Sequence, residues 1–504
     1  MFSEQLFSCY FYSVVFCLTI AAGYLAILLF KQIILAEILN SHNKDKPIET
    51  IRNYESSKNS NILEYISALQ LAGDAAQVEN SRVDFTLGPS AFEEMANFPQ
   101  NLVNDLKPVF KLFPDHRSIA TRLEGFVFDH SIFRALMKNI DPLLEKKRML
   151  IEKAFKSNFE GFLFFKEDDD NIQYINNGII YINDVQLFIA DTFFYVETSL
   201  AYGKDAEKNK MLIKSTRDLI LSPTSFSESN FTKIFKLSNL GLKNPGDCIK
   251  EYVQKEVISS MNSENPSGKK SFLQLVFGKD DSFFESIESI GYAFSYFIVL
   301  SIKHCYPLIS NLLIEISINP LVYDKLVLEQ LSIIKQFGDT INEEVLDKMV
   351  FLDAAFLEST RLSGSGQTLR LLETDIYLSN GSKLKKGSLL KFNNFVYSRD
   401  NRVYGKLPHT FKPERYLSTQ YKFSEPSKKN IAWGIGWKSC PYTQYCSLSL
   451  KLFMTIFLRK YRILGENNDP NSSHMGYLFD ESTFHSRSSI YIQSFNILDY
   501  NPYE

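Results

Sequence analysis

A long apolar stretch, from Phe283 to Ile318, most constrains the fold of this 504-residue chain. It has helical periodicity and few breaks until Asn319 and Pro320, and a helix that is hydrophobic nearly all round must be buried. Five ionisable residues interrupt it: Glu285, Glu288, Lys303, His304 and Glu315. A membrane span is the alternative, but a bilayer would tolerate these residues poorly. The stretch therefore predicts a helix buried through the core of a large domain.

Length and composition exclude several classes of function. With 45% hydrophobic residues, the chain can bury a large core, as one big domain or two. A formal net charge of −3 gives no reason to expect a nucleic acid partner. The cysteines show no C-x-x-C pair and no repeated spacing, which argues against a disulfide framework and against a zinc site. They are Cys9, Cys17, Cys248, Cys305, Cys440 and Cys446.

The N-terminal region contains 20 uncharged positions, residues 11–30, which are enough to cross a bilayer as a helix. A cleaved signal peptide is the alternative, but the residues before the span carry Glu4 and no Lys or Arg. Lys31, Lys44 and Lys46 follow it, and the positive-inside rule then puts the rest of the chain in the cytosol. We expect a lumenal N-terminus (1–10), a single transmembrane anchor in the endoplasmic reticulum (11–30), a linker (31–62) and one domain (63–504).

Pro307 lies inside the apolar stretch and has no backbone N–H to donate to the carbonyl of Lys303. A kink is expected at this point of the helix. The kink would free the Lys303 carbonyl, which lies beside His304 in the sequence. Amphipathic helices are predicted over Pro142–Phe159 and Phe351–Leu362. Short strands are predicted at Val83–Leu87, Leu369–Leu372, Asp375–Leu378 and Ser388–Phe392.

Near the C-terminus, a glycine-rich turn leads into one cysteine: Trp433-Gly434-Ile435-Gly436-Trp437-Lys438-Ser439-Cys440. Glycines let the backbone take positive φ and pack closely against a flat ligand. A helical pattern begins soon after Cys440, and the field of N-terminal amides favours a thiolate there. A lone thiolate can bind one metal position and leave the opposite face open, as in a haem with a cysteine ligand. Taken alone, the segment is equally consistent with a buried structural cysteine.

Three motifs occur in one order along the chain. Glu358-Ser359-Thr360-Arg361 resembles E-x-x-R, Phe411-Lys412-Pro413-Glu414-Arg415-Tyr416 is similar to F-x-P-E-R-F, and Trp433 to Cys440 resembles F-x-x-G-x-R-x-C. These are motifs of the cytochrome P450 family of haem-thiolate monooxygenases, and their order and spacing agree with it. The resemblance covers roughly residues 280–500; before that, only the anchor and the general layout match. The members that the chain resembles are membrane-anchored eukaryotic proteins, fungal enzymes among them.

The resemblance implies the cytochrome P450 fold, mainly α with small β-sheets, and haem b (iron protoporphyrin IX) as cofactor. Cys440 would be the axial ligand of the haem iron. Glu358, Arg361 and Arg415 would form a buried charge triad, which is tolerable because two guanidiniums surround one carboxylate. The cofactor-binding residues would be Cys440, Trp433, Gly436, Lys438 and Arg370, with Lys438 where the family usually has Arg.

The chain departs from the family pattern at several positions. Tyr442 and Cys446 stand where the family usually has Gly and Ala. The W-x-x-x-R of a helix near residues 120–150 is missing, since Trp433 and Trp437 are the only tryptophans. One partner of a haem propionate is therefore unidentified.

The apolar helix departs most. The family's A-G-x-[DE]-T-T would fall on Leu300 to Cys305, with Lys303 at the acid and His304 at the threonine. This resembles the subset with N-x-x-P in that helix, here His304-Cys305-Tyr306-Pro307. The subset includes animal sterol 7α- and 12α-hydroxylases, prostacyclin synthase and many fungal enzymes, so the resemblance implies a sterol, lipid or secondary metabolite as substrate.

The activity that the resemblance implies is insertion of one oxygen atom from O₂ into a lipophilic small molecule. Electrons would come from NADPH-cytochrome P450 reductase, with cytochrome b5 as a further partner. His304, or water on the Lys303 carbonyl, would relay protons. Two alternatives stay open: an isomerase or dehydratase acting on a hydroperoxide or endoperoxide, and a non-catalytic haem- or lipid-binding descendant.

Overall fold

The structure is a computed structural model that describes residues 48–51, 75–78, 83–99, 101–104, 137–159, 171–175, 178–202, 287–363, 368–419, 421–464, 477–479, 483–485 and 489–500. The helices are α1 (Phe92–Asn97), α2 (Ile140–Phe159), α3 (Val185–Tyr202), α4 (Ile287–Ile318), α5 (Pro320–Phe337), α6 (Glu343–Asp347), α7 (Val350–Ser363), α8 (Asn394–Tyr397), α9 (Asn401–Tyr404) and α10 (Thr443–Lys460).

The strands belong to four sheets. In chain order they are β1 (Glu49–Ile51), β2 (Ala75–Val78), β3 (Phe85–Leu87), β4 (Val103–Asn104), β5 (Ile172–Tyr174), β6 (Ile179–Ile182), β7 (Thr368–Leu372), β8 (Ile376–Tyr377), β9 (Lys383–Leu384), β10 (Leu389–Phe392), β11 (Tyr461–Leu464), β12 (Tyr477–Phe479), β13 (Thr483–His485) and β14 (Ile490–Ser494). The largest sheet has the order β1-β2-β3-β10-β7-β4, and a second has the order β11-β14-β6-β5. Two hairpins, β8-β9 and β12-β13, complete the set among the described residues.

The largest sheet joins the N-terminal and C-terminal parts of the domain. Strand β10 pairs in parallel with β3, with Leu390 opposite Phe85, and antiparallel with β7, with Leu390 opposite Arg370. Asp84 adds to the junction, because its carboxylate accepts the N–H of Leu389 at 2.7 Å and its N–H donates to the Leu389 carbonyl at 2.9 Å. This fixes β3, β10 and β7 side by side, and β7 carries Arg370.

Helix α4 crosses the core as the sequence predicts. Ile302 and the residues from Cys305 to Ile316 are buried, with Ile309, Leu312 and Leu313 fully enclosed. The helix continues through Pro307 to Ile318, and α5 follows at an angle of 111°. In the part of α4 whose burial is described, from residue 301 onward, protein covers the apolar side chains on all sides of the helix. Burial in the core therefore explains why this part of the helix is apolar.

Helix α10 lies at the centre of the main core. All nine residues from Leu450 to Leu458 are buried, whereas a surface helix would bury one stripe. Its aromatic side chains pack edge-on against α2, with the rings of Phe155 and Phe453 5.2 Å apart and those of Phe155 and Phe457 5.9 Å apart. A rigid helix therefore begins within a few residues of Cys440.

The N-terminal expectations lie outside the described residues. They are the lumenal segment 1–10, the anchor 11–30 and almost all of the linker 31–62. Among the residues described, no single helix has the length and the apolar character needed to cross a membrane. The bent pair formed by His304–Ile318 and Pro320–Phe337 meets the criteria of length and composition only when the two helices are taken together. The strands predicted near residues 370, 376 and 390 and the helix predicted at Pro142–Phe159 are confirmed, with ends that differ by one or two residues.

Candidate functional site

The loop before Cys440 is closed by its own backbone. Gly434 and Gly436 have φ of 92° and 69°, and Gly436–Lys438 form one 3₁₀ turn. The N–H of Cys440 donates to the carbonyl of Trp433 at 2.7 Å, and this hydrogen bond closes the loop between the two residues. The indole N–H of Trp433 donates to the Phe423 carbonyl, which holds the base of the loop in the core. The cysteine is thus presented from a fixed loop at the start of α10.

The tip of this loop docks on α1. A Cβ at Gly436 would lie 2.1 Å from the carbonyl oxygen of Ala96, so only glycine fits this approach. The indole N–H of Trp437 donates to the carbonyl of Phe98 at 2.8 Å. The glycine that the motif requires therefore has a specific steric reason in this chain, namely the backbone of α1.

The environment of the Cys440 sulfur raises the pKa of its thiol. Cys440 packs against the main core, and burial together with the neighbouring Cys446 raises the pKa of its thiol to about 12, although the N–H of Tyr442 lowers it. None of these three influences is a cation. Positive charge from a bound metal would lower this pKa and favour the thiolate.

Two unusual residues follow Cys440 and fit the fold without distortion. Tyr442 is buried at the N-cap of α10 with φ of −101°, so no glycine conformation is needed, and its carbonyl accepts the N–H of Cys446 at 2.9 Å. The thiol of Cys446 lies beside that of Cys305 on α4. Both residues act as packing between α10 and its neighbours.

The structure brings Glu358, Arg361 and Arg415 together. Arg361 donates from Nε and Nη2 to the two carboxylate oxygens of Glu358 at 2.7 and 2.8 Å, and Arg415 Nε donates to Oε1 at 2.8 Å. The N–H of Lys412 adds a fourth hydrogen bond at 2.9 Å. Burial lowers the pKa of Arg361, but the bonds and charge of Glu358 outweigh it, and the pKa is raised overall.

The two guanidiniums also bind backbone carbonyls of residues 398–410. Arg361 donates to the carbonyls of Ser398, Pro408 and Thr410, and Arg415 to those of Tyr404, Leu407 and Thr410. Sequence reasoning missed these acceptors, since a carbonyl has no signature in a motif. The triad therefore tethers a whole connecting segment, in addition to pairing with itself.

Arg370 reaches the cysteine loop from β7. It is 5% exposed, donates to the carbonyl of Ile435 at 3.3 Å, and its guanidinium lies 5.9 Å from the centre of the Trp437 ring. Lys438 lies in the 3₁₀ turn of the loop, and its side chain is outside the described part of the chain. Arg370 and the loop thus share one location.

On α4, His304 is exposed, whereas its neighbours Cys305 and Tyr306 are buried. The side chain of Lys303 is not among those described, so its backbone alone is placed, one turn before Pro307. The arrangement puts His304 on the side of α4 that faces away from the core.

Comparison with known proteins agrees with the three motifs. The family model described as Cytochrome P450 matches residues 186–484. A ferruginol synthase of Salvia pomifera is 28% identical over 141 residues, which are 28% of this chain and 31% of that protein. Cytochrome P450 monooxygenase 71 of Postia placenta is 33% identical over 140 residues, 26% of this chain and 28% of its own.

The third relative is the mitochondrial 1,25-dihydroxyvitamin D(3) 24-hydroxylase of Rattus norvegicus, 31% identical over 171 residues, 33% of this chain and 32% of that protein. The matched segments thus span about a third of the length of these relatives. Because the relatives come from a plant, a fungus and an animal, they favour neither the N-x-x-P subset nor a fungal origin.

Proposed function

Because the chain belongs to the cytochrome P450 family, whose members bind haem b, we propose that it is a monooxygenase in which Cys440 is the ligand of the haem iron. The observation that supports this most is the geometry of Cys440 itself. A closed glycine loop presents its sulfur at the start of a buried helix.

The residues present fit a haem. Iron would supply the positive charge that the Cys440 sulfur lacks, and no described group of three or more His, Cys, Asp or Glu side chains competes as a metal site. Trp433 would shield the sulfur, and Arg370 and Lys438 would neutralise the propionates. Bound haem would supply oxygen activation, which electron donation by the thiolate favours.

The proposed reaction takes a lipophilic substrate, O₂, two electrons and two protons, and yields the hydroxylated product and water. The chain must deliver the protons. In our proposal His304 passes them from solvent, aided by water on the Lys303 carbonyl. His304 is exposed beside the buried Cys305 and Tyr306, and this exposure supports the role because a relay must contact solvent.

Substrate, partners and location are also part of the proposal. A sterol, lipid or secondary metabolite is supported by the His304-Cys305-Tyr306-Pro307 segment and by the name of the rat relative, a vitamin D hydroxylase. Electrons would come from NADPH-cytochrome P450 reductase, with cytochrome b5 as a further donor. The uncharged residues 11–30 would anchor the protein in the endoplasmic reticulum.

The difference spectrum of the reduced protein with carbon monoxide tests the ligand. Wild type is expected to give the thiolate-type band, and Cys440→Ala to lose either the haem or that band. Cys446→Ala is the matched control, because this neighbouring thiol should leave the band unchanged. A thiolate-type band in Cys440→Ala would refute the assignment. NADPH consumption with added reductase, dependent on a lipid substrate, then distinguishes a monooxygenase from a peroxide isomerase.

A further inference from the structure

A buried cluster of charged and polar side chains lies between α2, α3 and α10. Lys147 of α2 donates to Glu197 Oε1 of α3 at 2.7 Å and to Ser449 Oγ of α10 at 2.9 Å. Its ammonium also lies 4.4 Å from the centre of the Tyr445 ring. All four residues are at most 5% exposed. We call these residues the Lys147 cluster.

The cluster satisfies every donor of the lysine. An ammonium has three N–H groups, and here they meet a carboxylate, a hydroxyl and an aromatic face. Ser449 in turn donates to the carbonyl of Tyr445 at 2.9 Å, which leaves its oxygen free to accept from Lys147. Burial lowers the pKa of Lys147, but the charge of Glu197 and its hydrogen bond raise it by more, so the lysine stays charged.

Stability alone does not account for such a pair. Desolvation of two buried charges offsets most of their attraction, and apolar side chains of the same volume would hold three helices together at least as well. Hydrogen bonds differ from apolar packing in that they fix distance and direction. A cluster of this kind therefore restricts the translation of α10 along its axis and its rotation about that axis more than apolar contacts would.

The position of α10 matters because the first turn of this helix follows Cys440. Tyr445, which lies over Lys147, precedes Cys446, and the Cys446 thiol is near both Cys440 and Cys305. We propose that Lys147 and Glu197 are positioning residues: they hold the start of α10 so that the Cys440 sulfur lies at bonding distance from the haem iron. This inference rests on the proposed function, since it takes Cys440 as the ligand.

A second buried pair on α10 provides a matched control. Lys451 bonds to Asp353 of α7 at 3.0 Å, and their side chains are 2% and 8% exposed. Lys451 lies about 9 Å further along α10 than Tyr445, at a rise of about 1.5 Å per residue. Lys147→Met with Glu197→Gln and Lys451→Met with Asp353→Asn each replace a buried pair by neutral side chains of similar shape. Of the two double variants, only the first should disturb the ligand.

The measurements are haem content, the thermal unfolding midpoint and the fraction of the reduced carbon monoxide complex with the thiolate-type band. The Lys147/Glu197 variant is expected to bind haem and lose most of that band, and the Lys451/Asp353 variant to keep it. Equal loss in both variants, or a wild-type band in the first, overturns the inference and leaves Cys440 as the ligand. Absence of the band in wild type overturns the ligand assignment itself.

A milder pair of variants decides the question if the first double variant does not fold. Ser449→Ala removes one acceptor of Lys147 and leaves the ion pair intact, and Ser447→Ala changes a buried serine of the same helix outside the cluster. A smaller thiolate-type fraction in Ser449→Ala than in Ser447→Ala is the expected result. Identical spectra for the two variants overturn the inference.

Discussion

Glu358 and Arg361, three residues apart on α7, form a bidentate ion pair, and their side chains are 0% and 1% exposed. Such spacing usually gives a weak pair on a helix surface. Here both carboxylate oxygens and all donors of the guanidinium are directed at partners inside the protein, and Arg415 adds a second cation. The pair therefore depends on complete satisfaction of its bonds, and removal of one member leaves the others buried and unmatched.

Replacement of Glu358 by Gln should destabilise the protein severely. Two guanidiniums would then face a neutral amide in the core, a loss on the order of 3–5 kcal/mol. We expect a lower thermal unfolding midpoint and less haem per protein. Glu414→Gln is the control, because its ion pair with Lys325 is partly exposed and should contribute about 1 kcal/mol or less. Equal behaviour of the two variants would show that the triad is not structural.

Gly436→Ala should displace the cysteine loop from α1. The new Cβ would lie 2.1 Å from the Ala96 carbonyl, and a positive φ adds about 1–2 kcal/mol of strain. Gly387→Ala provides the comparison, since its φ is 82° and nothing lies within 4 Å of the added Cβ. We expect loss of haem in the first variant and only the strain penalty in the second. Normal haem content in Gly436→Ala would contradict the close approach.

Glu329 should make stability depend on pH. Its carboxylate accepts the N–H groups of Phe351 and Leu352 at the start of α7, at 2.6 and 3.0 Å. Burial nevertheless raises its pKa from 4.5 to about 7, against these bonds and the charge of Lys451, which lower it. The folded state then holds the proton more tightly than the unfolded state. The stabilisation is complete below pH 4.5 and is lost as the pH rises through 7.

The comparison of wild type with Glu329→Gln isolates this effect. Between pH 5 and 8, the unfolding midpoint of wild type should fall relative to that of the variant, by an amount that corresponds to at most about 3 kcal/mol. Thermal unfolding at several pH values measures it. If the two curves run parallel, Glu329 is already ionised in the folded protein, and its two N–H bonds outweigh burial.

His304→Ala should leave haem binding intact and impair the use of electrons. Without a proton relay, we expect more hydrogen peroxide and less product for each NADPH consumed with reductase. His409→Ala serves as the control, because this exposed histidine lies in the connecting segment away from α4. Product formed per NADPH is the quantity to measure. A value equal to wild type in His304→Ala would assign the residue to packing.

The span 11–30 should behave as an integral anchor. Twenty uncharged residues resist extraction because their backbone stays satisfied within the bilayer as a helix. We expect the full-length protein to stay in the membrane pellet after alkaline carbonate treatment. A variant that lacks residues 1–30 should move to the soluble fraction or bind the membrane less firmly. Release of the full-length protein by carbonate would rule out an anchor.

Features that depend on residues close together along the chain could be predicted from the sequence. The three motifs predicted the family, the apolar periodicity predicted that the helix ending at Ile318 is buried, and the glycines before Cys440 predicted a tight loop. Each depends on residues within one turn or one short segment of one another. Spacing along the chain is enough to recognise such features, because the backbone itself holds the residues close together.

Contacts between groups that are distant along the chain became visible only in the folded protein. The Ala96 carbonyl that makes Gly436 obligatory and the carbonyls that surround Arg361 belong to separate segments. Lys147 lies 50 residues from Glu197 and 302 residues from Ser449, its two polar partners. No period or motif connects such positions. Their contact follows from how helices and sheet pack as a whole, and burial then turns a common surface residue into a fixed, charged part of the core.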